Sequence, residues 1–333
     1  MSNPKAGRPS APPPPRRTVL PPSRTPLEPT VERPPFERSG ASFAPATVVE
    51  VDPAEPAEHL FRRLLSSYLG GVPRVEIVEV PYLSSSTREV VRAFCHRTRG
   101  PEVVADDGRT LTVADLDPAG AGPLESRLTE LGRRVLAFHR EAVDSWSRLP
   151  LGADGRWSER DDEIDRDAWY LERCIARAEG GSRPSSPPAT TAWTIARSLE
   201  RIGDHAVTLG EVGPRLAEFG PNATPVRELR QFHVQAMAHL EEVLDARDAG
   251  RANELLDVGE ALVASGRVLT ERLLPAVGDG SMAPATAAAV ARALEAVSRT
   301  VAYSQDIAQA FFDRTLRAPT ASRPGRPRAT VAR

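Results

Sequence analysis

From about residue 122 to residue 317 the chain consists of helix-length segments in which apolar residues recur every third or fourth position. Glycine and proline separate six such segments, at 123–149, 157–179, 189–218, 224–247, 250–275 and 284–316. The third segment shows the spacing at Ala192, Ala196, Leu199, Ile202, Ala206 and Leu209, and the sixth at Val290, Leu294, Val297, Val301 and Ile307. Because an apolar face of this kind is stable only when other helices cover it, the pattern predicts a helical bundle.

The bundle is predicted to contain an internal duplication. Residues 196–212 read ARSLERIGDHAVTLGEV and residues 291–307 read ARALEAVSRTVAYSQDI, so Ala-Arg-x-Leu-Glu recurs at an offset of 95 residues. The helix lengths on either side also match. We therefore expect a mainly α fold with a six-helix bundle at 122–317, made of two three-helix repeats at about 122–218 and 224–317.

The region before the bundle follows a different pattern. Short alternating or β-branched runs and helical runs are interleaved as strand 47–51, helix 56–69, strand 74–80, helix 84–97, and strands 101–105 and 110–113. A Ser-Ser-Ser-Thr cluster suits the start of the second helix, and Asp106-Asp107-Gly108 suits a hairpin turn. This order predicts a small two-layer α/β module over 46–118.

The two ends of the chain differ from its middle in composition and charge. Residues 1–45 hold 13 of the 32 prolines and are predicted to be a disordered arm, and 318–333 a disordered basic tail. Each end carries a net charge of +4, whereas 46–317 carries −10. Since nucleic-acid binding depends on Lys and Arg at phosphates, this body does not favour nucleic acid as a partner. It favours cations.

Several classes of protein are excluded by what the sequence lacks. Lys5 is the only lysine, so neither a phosphate-binding P-loop nor a Schiff-base lysine in the folded part is available. No E-x-x-H pair of a carboxylate-bridged di-iron bundle and no nucleophile with its base is found. We therefore expect a protein that is not an enzyme. Without an apolar run of about 18 residues or a signal segment, a cytoplasmic location is expected.

Two matched sets of carboxylates are candidates for a metal site. The second bundle segment carries Asp161, Asp165 and Glu172, and the third carries Glu200, Asp204 and Glu211 at identical offsets of 0, 4 and 11 residues. At ~100° per residue, each set forms an acidic stripe within ~40° on one face of its helix. Such oxygen ligands suit Mg²⁺, Mn²⁺, iron or Zn²⁺. His205, next to Asp204, is a further candidate ligand or proton carrier.

Ordinary structural roles are the alternative for the same residues. Acidic groups in a first helical turn oppose the helix dipole, which accounts for Asp161 without any metal. Arg197 and Arg201 have the spacing to form ion pairs with Glu200 and Asp204. In the second repeat, the positions equivalent to Glu200, Asp204 and Glu211 hold Glu295, Arg299 and Asp306. A cation would therefore bind only to the first repeat, or in the second repeat Arg299 takes the place of the cation by forming an internal salt bridge.

The stretch LERIGDHA at 199–206, with Glu211 beyond it, closely resembles the signature of the PhoU family of phosphate-uptake regulators. DDEID at 161–165 resembles the other acidic motif of that family. HLFRRLLSSYLGGVPRVEI and GPEVVADDGRTLTVADL are similar to the middle region of archaeal-type members. The resemblance implies a six-helix protein of two repeats. It also implies metal binding by Asp161 with Asp165 and by Glu200 with Asp204.

The function implied by this resemblance is regulation in the cytoplasm. Such proteins act on the ATPase subunit of a phosphate ABC transporter and on a sensor kinase, damp uptake and the starvation response, and often form homodimers. Contact with the membrane is then expected only through the transporter. The alternative is a DNA-binding transcriptional regulator of phosphate genes that uses the basic ends, and salt-dependent binding to duplex DNA would distinguish it.

Overall fold

The computed structural model describes residues 46–117, 123–147, 156–179, 188–246, 248–278 and 282–317. The predicted arm at 1–45 and tail at 318–333 lie outside these residues. The first part is an α/β module with the predicted order of elements. Its strands and helices are β1 (Thr47–Val51), α1 (Ala57–Leu69), β2 (Arg74–Glu79), α2 (Ser85–Arg97), β3 (Pro101–Asp106) and β4 (Thr110–Asp115).

The module is a four-stranded mixed sheet with both helices packed on one face. The strand order is β1-β2-β4-β3, with β1 parallel to β2 and the other pairs antiparallel. Alternate strand residues such as Ile77 and Val113 share a core with Leu64 of α1 and Phe94 of α2. Ser84 caps α2 by accepting a hydrogen bond from the backbone N–H of Thr87, as the serine cluster predicted.

The bundle follows as six helices. They are α3 (Leu124–Asp144), α4 (Arg156–Glu179), α5 (Ala189–Phe219), α6 (Thr224–Asp245), α7 (Ala249–Gly278) and α8 (Pro284–Arg317). All the apolar residues that defined the predicted faces of the third and sixth segments are buried in one core. Gly250, the first residue of the fifth predicted segment, lies in the first turn of α7, because a glycine weakens a helix without preventing it.

Burial confirms the duplication at a second place in the sequence. All but one of the nine buried positions of α3 have a buried counterpart in α6 when the numbering is shifted by 101 residues. Leu131 and Phe232 are one such pair, and Leu136 and Met237 another. The remaining position, Val143, corresponds to the partly buried Leu244. The predicted fold class, a mainly α six-helix bundle with a small α/β module before it, is confirmed.

The module is attached to α4 of the bundle. Trp169 of α4 belongs to the core of the module, and Arg173, which is only 1% exposed, forms an ion pair with Asp115 at the end of β4. The guanidinium of Arg173 also donates to the carbonyl oxygens of Arg99 and Asp117 at 3.1 and 2.8 Å. This attachment places the C-terminal end of α2 beside α4. No helix among the described residues is both long and apolar enough to cross a membrane.

Candidate metal centre

The two helices that carry the acidic stripes run antiparallel and approach each other closely. Gly203 of α5 makes this possible, because a Cβ atom there would lie 2.9 Å from Cγ2 of Ile164 on α4. Asp165 and Asp204 directly follow these two contact residues in the sequence. The glycine inside the LERIGDHA motif therefore lets the carboxylates of the two helices face the same groove.

Three carboxylates meet in this groove. One oxygen each from Asp161, Asp165 and Asp204 lies within 4.8 Å of the other two. We call these residues, with Glu200, the carboxylate cluster, because the charge of Glu200 acts on Asp165 and that of Asp204 acts on Glu200. An oxygen atom of Asp161, Oδ1, is buried and has no hydrogen-bond partner among the described residues. The structure thus brings three of the four principal predicted ligands together, with Glu200 close enough for its charge to act on Asp165.

The electrostatics of the cluster are those of like charges held close together. Burial, followed by the charges of Asp161, Glu200 and Asp204, raises the pKa of Asp165 to about 7. Burial and the charge of Asp204 raise the pKa of Glu200 to about 7 and that of Asp161 to about 6. Burial also raises the pKa of Asp204, although its side chain is the most exposed of the three in the groove. Carboxylates with shifted pKa values in one groove are typical of binding sites.

The weaker candidates lie away from the cluster for a geometric reason. Because α4 and α5 run antiparallel, counting the same number of residues along each helix leads in opposite directions. The last residues of the two stripes, Glu172 and Glu211, therefore lie towards opposite ends of the helix pair. Glu172 and Glu211 are each seven residues, or ~10 Å along the helix axis, from the nearest cluster member of their own helix. Glu172 is buried and pairs with Arg197 at 3.5 Å, and its charge still acts on Glu200 at one end of the cluster. Glu211 pairs with Arg292 at 2.8 Å.

His205 faces a different neighbour from the cluster. Its ring stacks on Tyr303 of α8, with ring centroids 5.8 Å apart and an interplanar angle of 20°. Burial lowers its pKa, and the charges that act on it further are those of Arg299, Glu295 and Arg201. This orientation follows from the helix, because adjacent residues differ by ~100° in direction.

One residue at the edge of the cluster was missed by sequence reasoning. Arg97, at the C-terminal end of α2, donates to Asp162 at 2.6 Å and lies 3.8 Å from Oδ2 of Asp165. Its guanidinium also lies over the rings of Phe61 and Trp169. The α/β module therefore supplies a positive charge at the edge of the cluster. No sequence spacing indicates this contact, because 65 residues separate Arg97 from Asp162.

The region that holds the cluster matches known proteins. Residues 128–212, which comprise most of the first repeat, match the family described as the PhoU domain. Curated relatives from two strains of Caulobacter vibrioides are described as phosphate-specific transport system accessory protein PhoU homologues. Each is 30% identical over 105 residues, which is 31% of this chain and 44% of the relative. The chain thus matches less than half the length of these relatives.

A solved structure supports the same assignment at the level of the fold. The crystal structure of PhoU from Pseudomonas aeruginosa superposes with a TM-score of 0.51 at 21% identity. The superposition covers 58% of this chain and 95% of that structure. The resemblance of the α/β module to archaeal-type members stays a prediction. The first repeat of the bundle thus matches the PhoU domain, and the bundle shares its fold with the Pseudomonas aeruginosa protein.

Proposed function

We propose that this protein is a regulatory adaptor that negatively regulates phosphate uptake through a phosphate ABC transporter and the associated starvation signalling. The observation that carries the proposal is the match of residues 128–212 to the PhoU domain, because the whole carboxylate cluster lies inside it. The names of the Caulobacter relatives, which refer to a phosphate-specific transport system, support the same role. The role is regulatory rather than catalytic.

The proposal includes a metal ion bound by Asp161, Asp165, Glu200 and Asp204. Protein oxygens bind divalent cations at ~2.0–2.6 Å, so three oxygens within 4.8 Å of one another fit around a single ion. The unpartnered buried oxygen of Asp161 fits a ligand role as well. A donor set of carboxylates suits Mg²⁺, Mn²⁺ or iron, and Zn²⁺ also accepts such ligands. The bound ion would supply the positive charge that holds these like-charged groups together.

The proposed partners follow from the family. In the cytoplasm the chain would bind the ATPase subunit of the transporter and a sensor kinase, and would reach the membrane only through the transporter. A homodimer is part of the proposal. The exposed edge of the cluster is available for such contacts, because Asp204 is exposed on α5.

Phosphate uptake in cells tests this function directly. Deleting the gene should raise uptake of radiolabelled phosphate in phosphate-rich medium, and the full chain supplied in trans should restore the lower rate. The double variant Asp165→Ala/Asp204→Ala should fail to restore it. Glu211→Gln is the matched control, because Glu211 lies on the same helix but pairs with Arg292 outside the cluster.

The outcomes separate the parts of the proposal. Unchanged uptake after deletion would contradict the regulatory role itself. Full restoration by the double variant would contradict the role of the metal. Tight, salt-dependent binding of the purified chain to duplex DNA would favour the transcriptional alternative instead.

A further inference from the structure

A cavity of about 470 Å³ opens between α3 and α6, outside the carboxylate cluster. Its walls include Arg140, Val143 and Asp144 from α3 and Arg230, His233 and Met237 from α6. The volume lies within the ~300–1,000 Å³ that is usual for small-molecule sites. Nothing in the proposed regulatory function uses this cavity.

The duplication shows that the cavity is specific to one side of the bundle. Thr129 and Leu244, which correspond to Arg230 and Val143 after a shift of 101 residues, line a cavity of only about 20 Å³. There Leu244 packs against Gly132, where a Cβ atom would lie 2.7 Å from Cδ1 of the leucine. On the open side the corresponding residues are Val143 and His233. The place that the Leu244–Gly132 contact fills in one half of the duplication is therefore a cavity in the other half.

Polar atoms without partners lie at the wall of this cavity. Nε and Nη2 of Arg230 and Nε2 of His233 are buried, and they have no hydrogen-bond partner among the described residues. His233 is only 3% exposed and is held by stacking on His139, with ring centroids 5.6 Å apart. Nε and Nη2 form one edge of a guanidinium, which is the edge that binds carboxylates and phosphates through two parallel hydrogen bonds.

Arg230 supplies a positive charge to the cavity, whose lining also includes the exposed carboxylate of Asp144. Arg140 is neutralised by Glu241 at 2.8 Å, and burial lowers the pKa of His233 to about 3, so its imidazole is neutral at pH 7. Burial lowers the pKa of Arg230, and the charge of Asp144 opposes this shift. The guanidinium lies over the indole of Trp146 at 5.7 Å, which holds it in place.

The remaining lining is apolar. Val143 and Met237 are buried at its floor, whereas Val234 and Ala238 lie towards solvent. A ligand must therefore combine an oxyanion with an apolar body. We propose that this cavity binds a small organic anion whose carboxylate or phosphate accepts hydrogen bonds from Arg230 and His233 and whose apolar part lies against Val143 and Met237. The site is independent of the metal and of the phosphate-transport role.

Fluorescence titration with 1-anilinonaphthalene-8-sulfonate, an organic anion with an apolar body, tests the site on the full chain. We expect saturable binding of one probe per chain that Arg230→Gln weakens at least ~10-fold, because charge-assisted hydrogen bonds are lost. Arg227→Gln is the matched control. It removes an exposed arginine three residues earlier on α6 that does not line the cavity, and it should leave the affinity unchanged.

A second variant and competing ligands make the test decisive. Ala238→Trp should fill the groove from its exposed rim and abolish binding without removing a charge, while circular dichroism verifies that both variants remain folded. Octanoate and octyl phosphate distinguish the two sources of the oxyanion, and displacement of the probe by either supports the proposal. Equal affinities of Arg230→Gln and Arg227→Gln would overturn it. So would displacement by inorganic phosphate but by neither octyl compound.

Discussion

The two repeats present the same helix position with opposite charge. On α5 the acidic stripe is Glu200, Asp204 and Glu211, and the equivalent positions on α8 are Glu295, Arg299 and Asp306. In the first repeat α4 adds two carboxylates to the stripe. In the second, Arg299 lies 3.8 Å from Glu295 and neutralises its own helix. The helix position is shared, but the first repeat presents carboxylates from two helices and the second an arginine in the middle of its stripe.

This difference shows how a duplicated fold can present a group of carboxylates in one repeat and not in the other. Within the part of the chain that the structure describes, Asp161, Asp165 and Asp204 are the group of three ligand-bearing residues close enough to share an ion. The packing that positions them does not depend on their charge, because Gly203 and Ile164 set the distance between the helices. The comparison can therefore be tested by exchanging residues between the repeats without disturbing the core.

The largest effect is expected from making the first repeat resemble the second. Asp204→Arg places the charge of Arg299 at the centre of the cluster and should lower metal affinity by at least ~100-fold. Residues that merely support a metal ligand already contribute ~10–100-fold. Titration with Mn²⁺ followed by isothermal calorimetry, together with elemental analysis of the purified chain, measures the change.

The control for this exchange is Glu211→Gln, which removes a charge from the same stripe outside the cluster. It should retain the metal affinity of the original chain. If Asp204→Arg retained it as well, the carboxylate cluster would not be the metal site.

A second exchange uses the buried histidine of α3. His139 is fully buried, and its Nε2 donates to the carbonyl of Ile202 at 2.7 Å. In α6 the corresponding position is Leu240. Burial lowers the pKa of His139 to about 4, so between pH 6.5 and about 4 the unfolded chain binds a proton that the folded chain does not. The unfolding free energy is therefore highest above pH 6.5, as far as His139 is concerned, and it decreases as the pH falls towards 4.

His139→Leu, which copies the second repeat, should remove this part of the acid sensitivity. At pH 5 the expected difference is ~2 kcal/mol, because each pKa unit is worth ~1.4 kcal/mol. Urea unfolding at pH 7 and pH 5 measures it as the change in unfolding free energy of each chain. The exposed His96, replaced by Gln, is the control. Equal pH dependence in the original chain and His139→Leu would contradict the assignment.

Much of this architecture could be predicted because it depends on local spacing. The apolar periodicity indicated all six bundle helices, and the LERIGDHA and DDEID motifs indicated the two helices that carry the cluster. Spacing along one helix cannot show the direction of its neighbour. Glu172 and Glu211 were therefore grouped with the other carboxylates, although the antiparallel packing separates them from the cluster.

Contacts between distant segments were beyond the reach of the sequence. The strand order β1-β2-β4-β3 depends on tertiary pairing. The approach of Arg97 to Asp165 depends on how Trp169 and Arg173 attach the module to α4. The cavity between α3 and α6 lies where Val143 and His233 stand in place of the Leu244–Gly132 contact of the other half.

The smallest change in metal affinity is expected from replacing Arg97. This substitution compares an arginine supplied by the α/β module with Arg299, which the second repeat carries on its own helix. In the second repeat the arginine belongs to the helix itself, whereas Arg97 comes from the α/β module and lies beside Asp165. Arg97→Gln should raise metal affinity about two- to fivefold, because a partly exposed ion pair is worth ~0.2–1 kcal/mol and no longer competes with the ion. Arg99→Gln, which removes a pairing with Asp167 at 3.1 Å instead, is the control measured by the same Mn²⁺ titration. A fall in affinity with Arg97→Gln would mean that this arginine positions the carboxylates rather than opposing the metal.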